Sequence, residues 1–126
     1  DFPVDSLLMW TILRASPLKY PANNNRTVPT RLNLVNLGDA QILTIPGEAL
    51  PNICYYLKRK MKSKNHNMLF GLTNDAFGYI LTEVDFNSFK RYEYVSQTSL
   101  GERTGEVLIE NALKLIASSP APGEKK

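Results

Sequence analysis

A chain of 126 residues can bury one core but is too short for two comfortable ones, and 43% hydrophobic with 21% charged residues is ordinary for a globular chain. The formal charge of +3, from 15 Lys and Arg against 12 Asp and Glu, is too mild to argue for nucleic acid, which is not an expected partner. No apolar run approaches the roughly 20 residues a bilayer span needs, so no transmembrane segment is expected, and the single Cys54 excludes an internal disulfide.

The chain opens on Asp1 with no basic-then-apolar leader, which suggests an excised or processed piece. Residues 4–14 suit a short helix capped by Asp5 or Ser6. The stretch from Ser16 to Pro29, rich in Pro and Asn, has the composition of a loop and holds a glycosylation triplet, Asn25-Arg26-Thr27. Arg31 to Leu37 alternates polar and apolar residues as a half-buried strand does, Gly38-Asp39 turns the chain, and Ala40 to Ile45 completes a hairpin. After Pro46-Gly47, residues Leu50, Ile53, Cys54, Leu57 and Met61 fall on one face of a helix, with Pro51 in its first turn.

Lys58 to Lys64 is a basic run with two readings: a solvated helix end favoured by the dipole, or a contact for an anionic headgroup or phosphate. Asn65-His66-Asn67 reads as the turn that ends this element, with His66 an exposed loop residue. Met68 to Leu72 reads as a buried strand and Phe77 to Leu81 as another beyond the Asn74-Asp75 turn. Residues 84–90 suit one helical turn, Tyr92 to Val95 an extended segment, and 96–101 a loop. Glu106 to Ile116 carries the wide apolar stripe of a helix lying on a sheet. Ser118 to Lys126 is expected to be a disordered tail behind a single domain over 1–117. The order strand-strand-helix-strand-strand-helix predicts an α/β fold, a mixed sheet with helices packed on it.

Chemistry concentrates where strands give way to loops. In Ile45-Pro46-Gly47-Glu48 the glycine permits a sharp turn and places Glu48 near a helix N-terminus, either as a functional carboxylate or as a helix cap. In Phe70-Gly71-Leu72-Thr73-Asn74, followed by Tyr79 and Arg91-Tyr92-Glu93, the Asn and Asp are turn formers or site residues, and Tyr79 is a core ring or a ligand.

Taken in order and spacing over residues 30–117, these segments resemble the neutral ceramidase family, which has a Pro-Gly-Glu at a strand end, then Gly-Leu-X-Asn with a Tyr five residues on, then Arg-Tyr-Glu. The resemblance implies the C-terminal part of a larger catalytic domain. In it, Glu48 and Tyr79 are zinc ligands beside two histidines from outside this chain, and Tyr92 is the catalytic residue that hydrogen-bonds the substrate carbonyl. It further implies hydrolysis of an N-acyl amide, a ceramide-like lipid or related substrate, by a chain inactive without its N-terminal portion as partner. Where the family commonly continues with Phe-Thr, Ala49-Leu50 stands here, and the spacing from Tyr79 to Tyr92 is one residue longer. The residues also fit two other readings: a non-catalytic interaction module that keeps the fold, and a basic surface for anionic lipid or nucleic acid along Lys58 to Lys64.

Overall fold

Gly38, with φ +60°, closes the hairpin that organises the chain: β3 (Leu34–Leu37) runs antiparallel to β4 (Ala40–Thr44), with Val35 opposite Ile42. A left-handed residue at this turn suits Gly, which has no Cβ to clash. The computed structural model describes residues 1–16 and 26–123. Ahead of the hairpin lie β1 (Phe2–Pro3), α1 (Leu7–Ala15) and β2 (Thr27–Val28), with β1 and β2 paired antiparallel. Of the two capping candidates, Ser6 caps α1, its hydroxyl accepting from the Met9 N–H at 3.2 Å. The Pro- and Asn-rich stretch over 17–25, with the first residue of the glycosylation triplet, lies outside the described residues.

Beyond the hairpin come β5 (Glu48–Ala49), α2 (Pro51–Lys60), β6 (His66–Phe70), β7 (Tyr79–Ile80), α3 (Glu93–Gln97) and α4 (Thr104–Ser118). β6 joins the hairpin parallel to β4, giving the order β3-β4-β6, and β5 pairs parallel with β7 in a separate two-stranded sheet. The fold is thus mixed α/β. No helix of the described residues is long and apolar enough to cross a membrane.

Successive side chains of a strand point to opposite faces. One face of the β3-β4-β6 sheet carries Leu34, Leu43 and Leu69 in register, and these meet Ile53 and Leu57 of α2 and Leu108, Ala112 and Ile116 of α4 in one apolar cluster. Gln41, fully buried on that face, is satisfied at both ends: its amide donates to Asn36 Oδ1 at 2.9 Å and its carbonyl accepts from the Lys62 N–H at 2.8 Å.

Several expectations need correction. His66 does not end the preceding helix in a loop; it opens β6 opposite Ala40, exposed and 3.8 Å from the Asp39 carboxylate. Tyr92 to Val95 is not extended: Lys90–Tyr92 forms a 3-10 turn, with the Tyr92 N–H bonded to the Phe89 carbonyl at 2.8 Å, and α3 follows. Its alternation of ring and polar residue mimics a strand. Local bonding wins because Ser96 is buried and its hydroxyl accepts from the Asn87 N–H at 2.9 Å, a contact that a helical turn delivers. The tail expected from residue 118 is ordered at its start, where Lys62 Nζ donates to the Ser119 carbonyl at 2.5 Å and Asn36 Nδ2 to the Pro120 carbonyl at 3.1 Å. Residues 124–126 lie outside the described residues.

Candidate functional site

The loops that leave the carboxyl ends of the parallel strands β4 and β6 are bonded together along their length. Ile45 N–H donates to the Phe70 carbonyl at 2.8 Å, Leu72 N–H to Gly47 at 3.1 Å, and Phe77 N–H to Pro46 at 2.9 Å. Thr73 adds a side-chain clasp, its hydroxyl donating to the Phe70 carbonyl at 2.6 Å and lying 3.1 Å from the Ile45 nitrogen. Asn74, in a left-handed conformation at φ +74°, donates from its amide to the Arg31 carbonyl at 3.0 Å and anchors this loop beside β4.

That stitching brings β5 against β7. Glu48 N–H donates to the Gly78 carbonyl at 2.9 Å and Leu50 N–H to the Ile80 carbonyl at 3.0 Å, so Glu48 stands opposite Tyr79 in register. Two glycines make the approach possible. A Cβ on Gly47 would meet the Gly78 carbonyl oxygen at 2.5 Å, and one on Gly78, at φ +79°, would meet the Thr98 carbonyl oxygen at 2.0 Å.

Glu48 and Tyr79 are therefore neighbours, as two donors to one ion must be. The Glu48 carboxylate raises the Tyr79 pKa above the ordinary phenol value, first by its negative charge, with burial, Tyr94 and acceptance of a hydrogen bond from the phenol adding in the same direction. Glu48 is not the helix cap: the cap position of α2 is Leu50, which makes no side-chain capping bond. Tyr79 is half-buried, and its ring meets the exposed ring of Tyr94 edge-on at 6.0 Å.

Tyr92, the third residue of the expected set, packs its ring 6.0 Å from Phe89 and 5.0 Å beneath the Arg91 guanidinium. The tyrosine whose ring meets Tyr79 is Tyr94. It stands two residues beyond Tyr92, in a segment whose alternation resembles a strand and so gives no local sign of this contact. Also missed was Thr104, fully buried, whose hydroxyl bridges the Leu81 backbone and the Gly101 carbonyl at 3.1 Å and holds the end of β7 against α4.

As a metal centre the pair is half a set. A zinc site takes about four donors, usually with His or Cys among them. Among the described residues no three or more His, Cys, Asp and Glu side chains gather as a group able to hold a metal ion. His66 stands at the opposite end of β6 from Phe70, four residues or about 13 Å away at ~3.3 Å per residue. The carboxylate and phenol fit two positions of a divalent-cation site whose other positions would need donors from elsewhere. Neither Glu48 nor Tyr79 lines the cleft of about 380 Å³ formed by Asp5, Phe86, Gln97 and Glu102. The register of the pair is fixed by backbone bonding.

Part of the basic run bonds within the fold. Lys58, Arg59 and Lys60 occupy the last turn of α2, where cations suit the negative pole of the helix, and Lys62 Nζ reaches the Ala117 carbonyl in the last turn of α4 at 3.1 Å.

Neither the known protein-family models nor the curated proteins give a match to this chain.

Proposed function

We propose that the chain is the C-terminal portion of a zinc-dependent hydrolase of N-acyl amide bonds, acting on a ceramide-like lipid or a related amide, and that it supplies Glu48 and Tyr79 as two of the metal's donors. The observation that supports this reading is the cross-strand pairing of Glu48 with Tyr79 beside the carboxyl ends of a parallel strand pair. That end of an α/β sheet is where ligands commonly bind.

Zinc, when bound, would polarise the amide carbonyl and lower the pKa of an attacking water. The chain's own residues have simpler tasks. Glu48 would offer a carboxylate oxygen from an exposed position, on a strand tied by the backbone bond to Gly78. Tyr79 would hold the metal through its phenol oxygen, and its ring packs edge-on against Tyr94. Tyr92, on the turn leading into α3, is the hydroxyl that the resemblance aligns with the substrate carbonyl.

The test is hydrolysis of an N-acyl amide by the polypeptide as its gene encodes it, comparing Glu48→Gln, Tyr79→Phe and Tyr92→Phe. Loss of one donor to the developing oxyanion typically costs on the order of 10²–10³ in turnover, and Tyr92→Phe is expected to fall in or below that range. Full activity in Glu48→Gln overturns the reading.

A further inference from the structure

The Asn74-Asp75 turn takes no part in the Glu48–Tyr79 pair. It forms one wall of a cleft of about 420 Å³, whose other wall is Pro29-Thr30-Arg31, the segment between β2 and β3. The cleft lies outside the carboxyl end of β4: the Asn74 amide bonds the Arg31 carbonyl at 3.0 Å and the hydroxyl of Thr44, the last residue of β4, at 3.3 Å. Ligands of α/β sheets commonly bind at that end, and the volume falls within the range of small-molecule sites. Neither Glu48 nor Tyr79 lines this cleft, so it is independent of the metal reading.

The turn is held in a costly shape. Leu72 at φ +52° and Asn74 at φ +74° are both left-handed, a conformation uncommon for non-glycine residues and more so for a bulky one. Such strain collects at ligand sites. The turn sets the half-buried Asp75 against Thr30, whose hydroxyl donates to Asp75 Oδ2. That bond orients the carboxylate and leaves acceptor capacity on Oδ1. Arg31 lines the same cleft from an exposed position, and among the described residues neither Arg31 nor Asp75 is in an ion pair. Opposite charges thus share the cleft without meeting. A cation alone is repelled by Arg31 and an anion alone by Asp75, whereas a molecule carrying both charges is attracted at each end.

We infer that this cleft binds a small amino carboxylate, a zwitterion whose carboxylate lies on the Arg31 guanidinium and whose ammonium lies on Asp75 Oδ1. The planar guanidinium matches a carboxylate with two parallel hydrogen bonds. The Asn74 side-chain carbonyl, whose amide nitrogen makes both of the bonds above, is a second acceptor for the ammonium. A polypeptide end is the poorer occupant, because a chain terminus offers only one of the two charges.

The experiment is calorimetric titration of the polypeptide as its gene encodes it with glycine, beside acetate, methylammonium and phosphorylethanolamine. Glycine is expected to saturate with a Kd of about 1 mM, an affinity within reach of so small a ligand. Acetate and methylammonium, each carrying one of the charges, are expected to bind about tenfold more weakly or worse, and Arg31→Gln and Asp75→Asn to weaken glycine by about the same factor. Both replacements spare the turn, because Asn74 bonds the backbone carbonyl of Arg31 and an amide oxygen at position 75 still accepts from Thr30. No saturation by glycine up to about 50 mM overturns the site, and glycine binding unchanged in either variant overturns its placement. Acetate or methylammonium binding as tightly as glycine overturns the zwitterion. Tighter binding of phosphorylethanolamine overturns the amino carboxylate in favour of a phospholipid headgroup. Glycine is titrated into the unsubstituted protein first, so a variant that fails to fold leaves the cleft tested.

Discussion

The Glu48 carboxylate and the Tyr79 phenol face one another across a parallel two-strand ladder, close enough for the carboxylate to raise the phenol's pKa. The sequence separates them by thirty-one positions and gives each an ordinary local role. Their meeting depends on backbone bonds between two loops.

Those bonds depend in turn on Gly47 and Gly78. Gly78→Ala is expected to cost on the order of 2 kcal/mol or more, because it combines a left-handed backbone with a Cβ only 2.0 Å from the Thr98 carbonyl oxygen. Gly38→Ala, equally left-handed at φ +60° but with nothing within 4 Å of the added carbon, is expected to cost only about 1 kcal/mol. Urea denaturation of the two variants measures the difference, and equal losses would show that the Gly78 contact can relax.

The Tyr79 titration gives a second check. Glu48→Gln removes the charge that contributes most to the raised pKa, so the Tyr79 phenol is expected to ionise at lower pH in that variant, as followed by ultraviolet absorbance. The folded chain holds this proton more tightly than the unfolded chain does. The stabilisation from the Glu48–Tyr79 contact is therefore complete below the ordinary phenol pKa of about 10 and is lost as pH rises through the raised value. A coordinated divalent cation reverses the direction, because the oxygen then gives up its proton more readily. An unmoved titration in Glu48→Gln would separate the two side chains.

Gln41 tests the polar contact within the core. Gln41→Leu keeps a similar volume but leaves the Lys62 N–H and the Asn36 side chain without their partner. The expected loss is roughly 1–3 kcal/mol, the net worth of two hydrogen bonds at about 0.5–1.5 kcal/mol each. A neutral result in denaturant unfolding would mean that water replaces the amide.

Leu57→Ala removes a fully buried side chain from the contact of α2 with the sheet and α4. A loss of about 2–5 kcal/mol is expected for such a truncation. A loss well below that range, measured as a shift in the denaturant midpoint, would show that α2 packs more loosely than its burial indicates.

Much of the fold was legible because its signals are periodic. The hairpin around Gly38, the apolar stripe of α2 and the stripe of α4 each repeat over several residues, and each element forms within a few positions of its expected bounds. The β5–β7 ladder was not legible as a pairing, because two residues on each side leave no period, and it is specified by the close approach of Gly47 to the Gly78 carbonyl. Tyr92 to Val95 misled because alternation of rings and polar residues counts toward a strand whether or not one face is buried. Here the turn is decided by Ser96 and its bond to Asn87. The same misreading hid Tyr94, which meets Tyr79 only because α3 is helical. His66 is exposed, as expected, but it opens a strand rather than a turn, because the parallel pairing with β4 overrides the turn preference of the Asn on either side.

The most direct measurement is the zinc content of the polypeptide as its gene encodes it, determined by elemental analysis after dialysis, for the parent protein and for Glu48→Gln. About one zinc per chain in the parent, lost in the variant, is the predicted result. Zinc that stays undiminished when Glu48 becomes Gln, or a parent protein that binds none, would contradict the role given to the Glu48–Tyr79 pair.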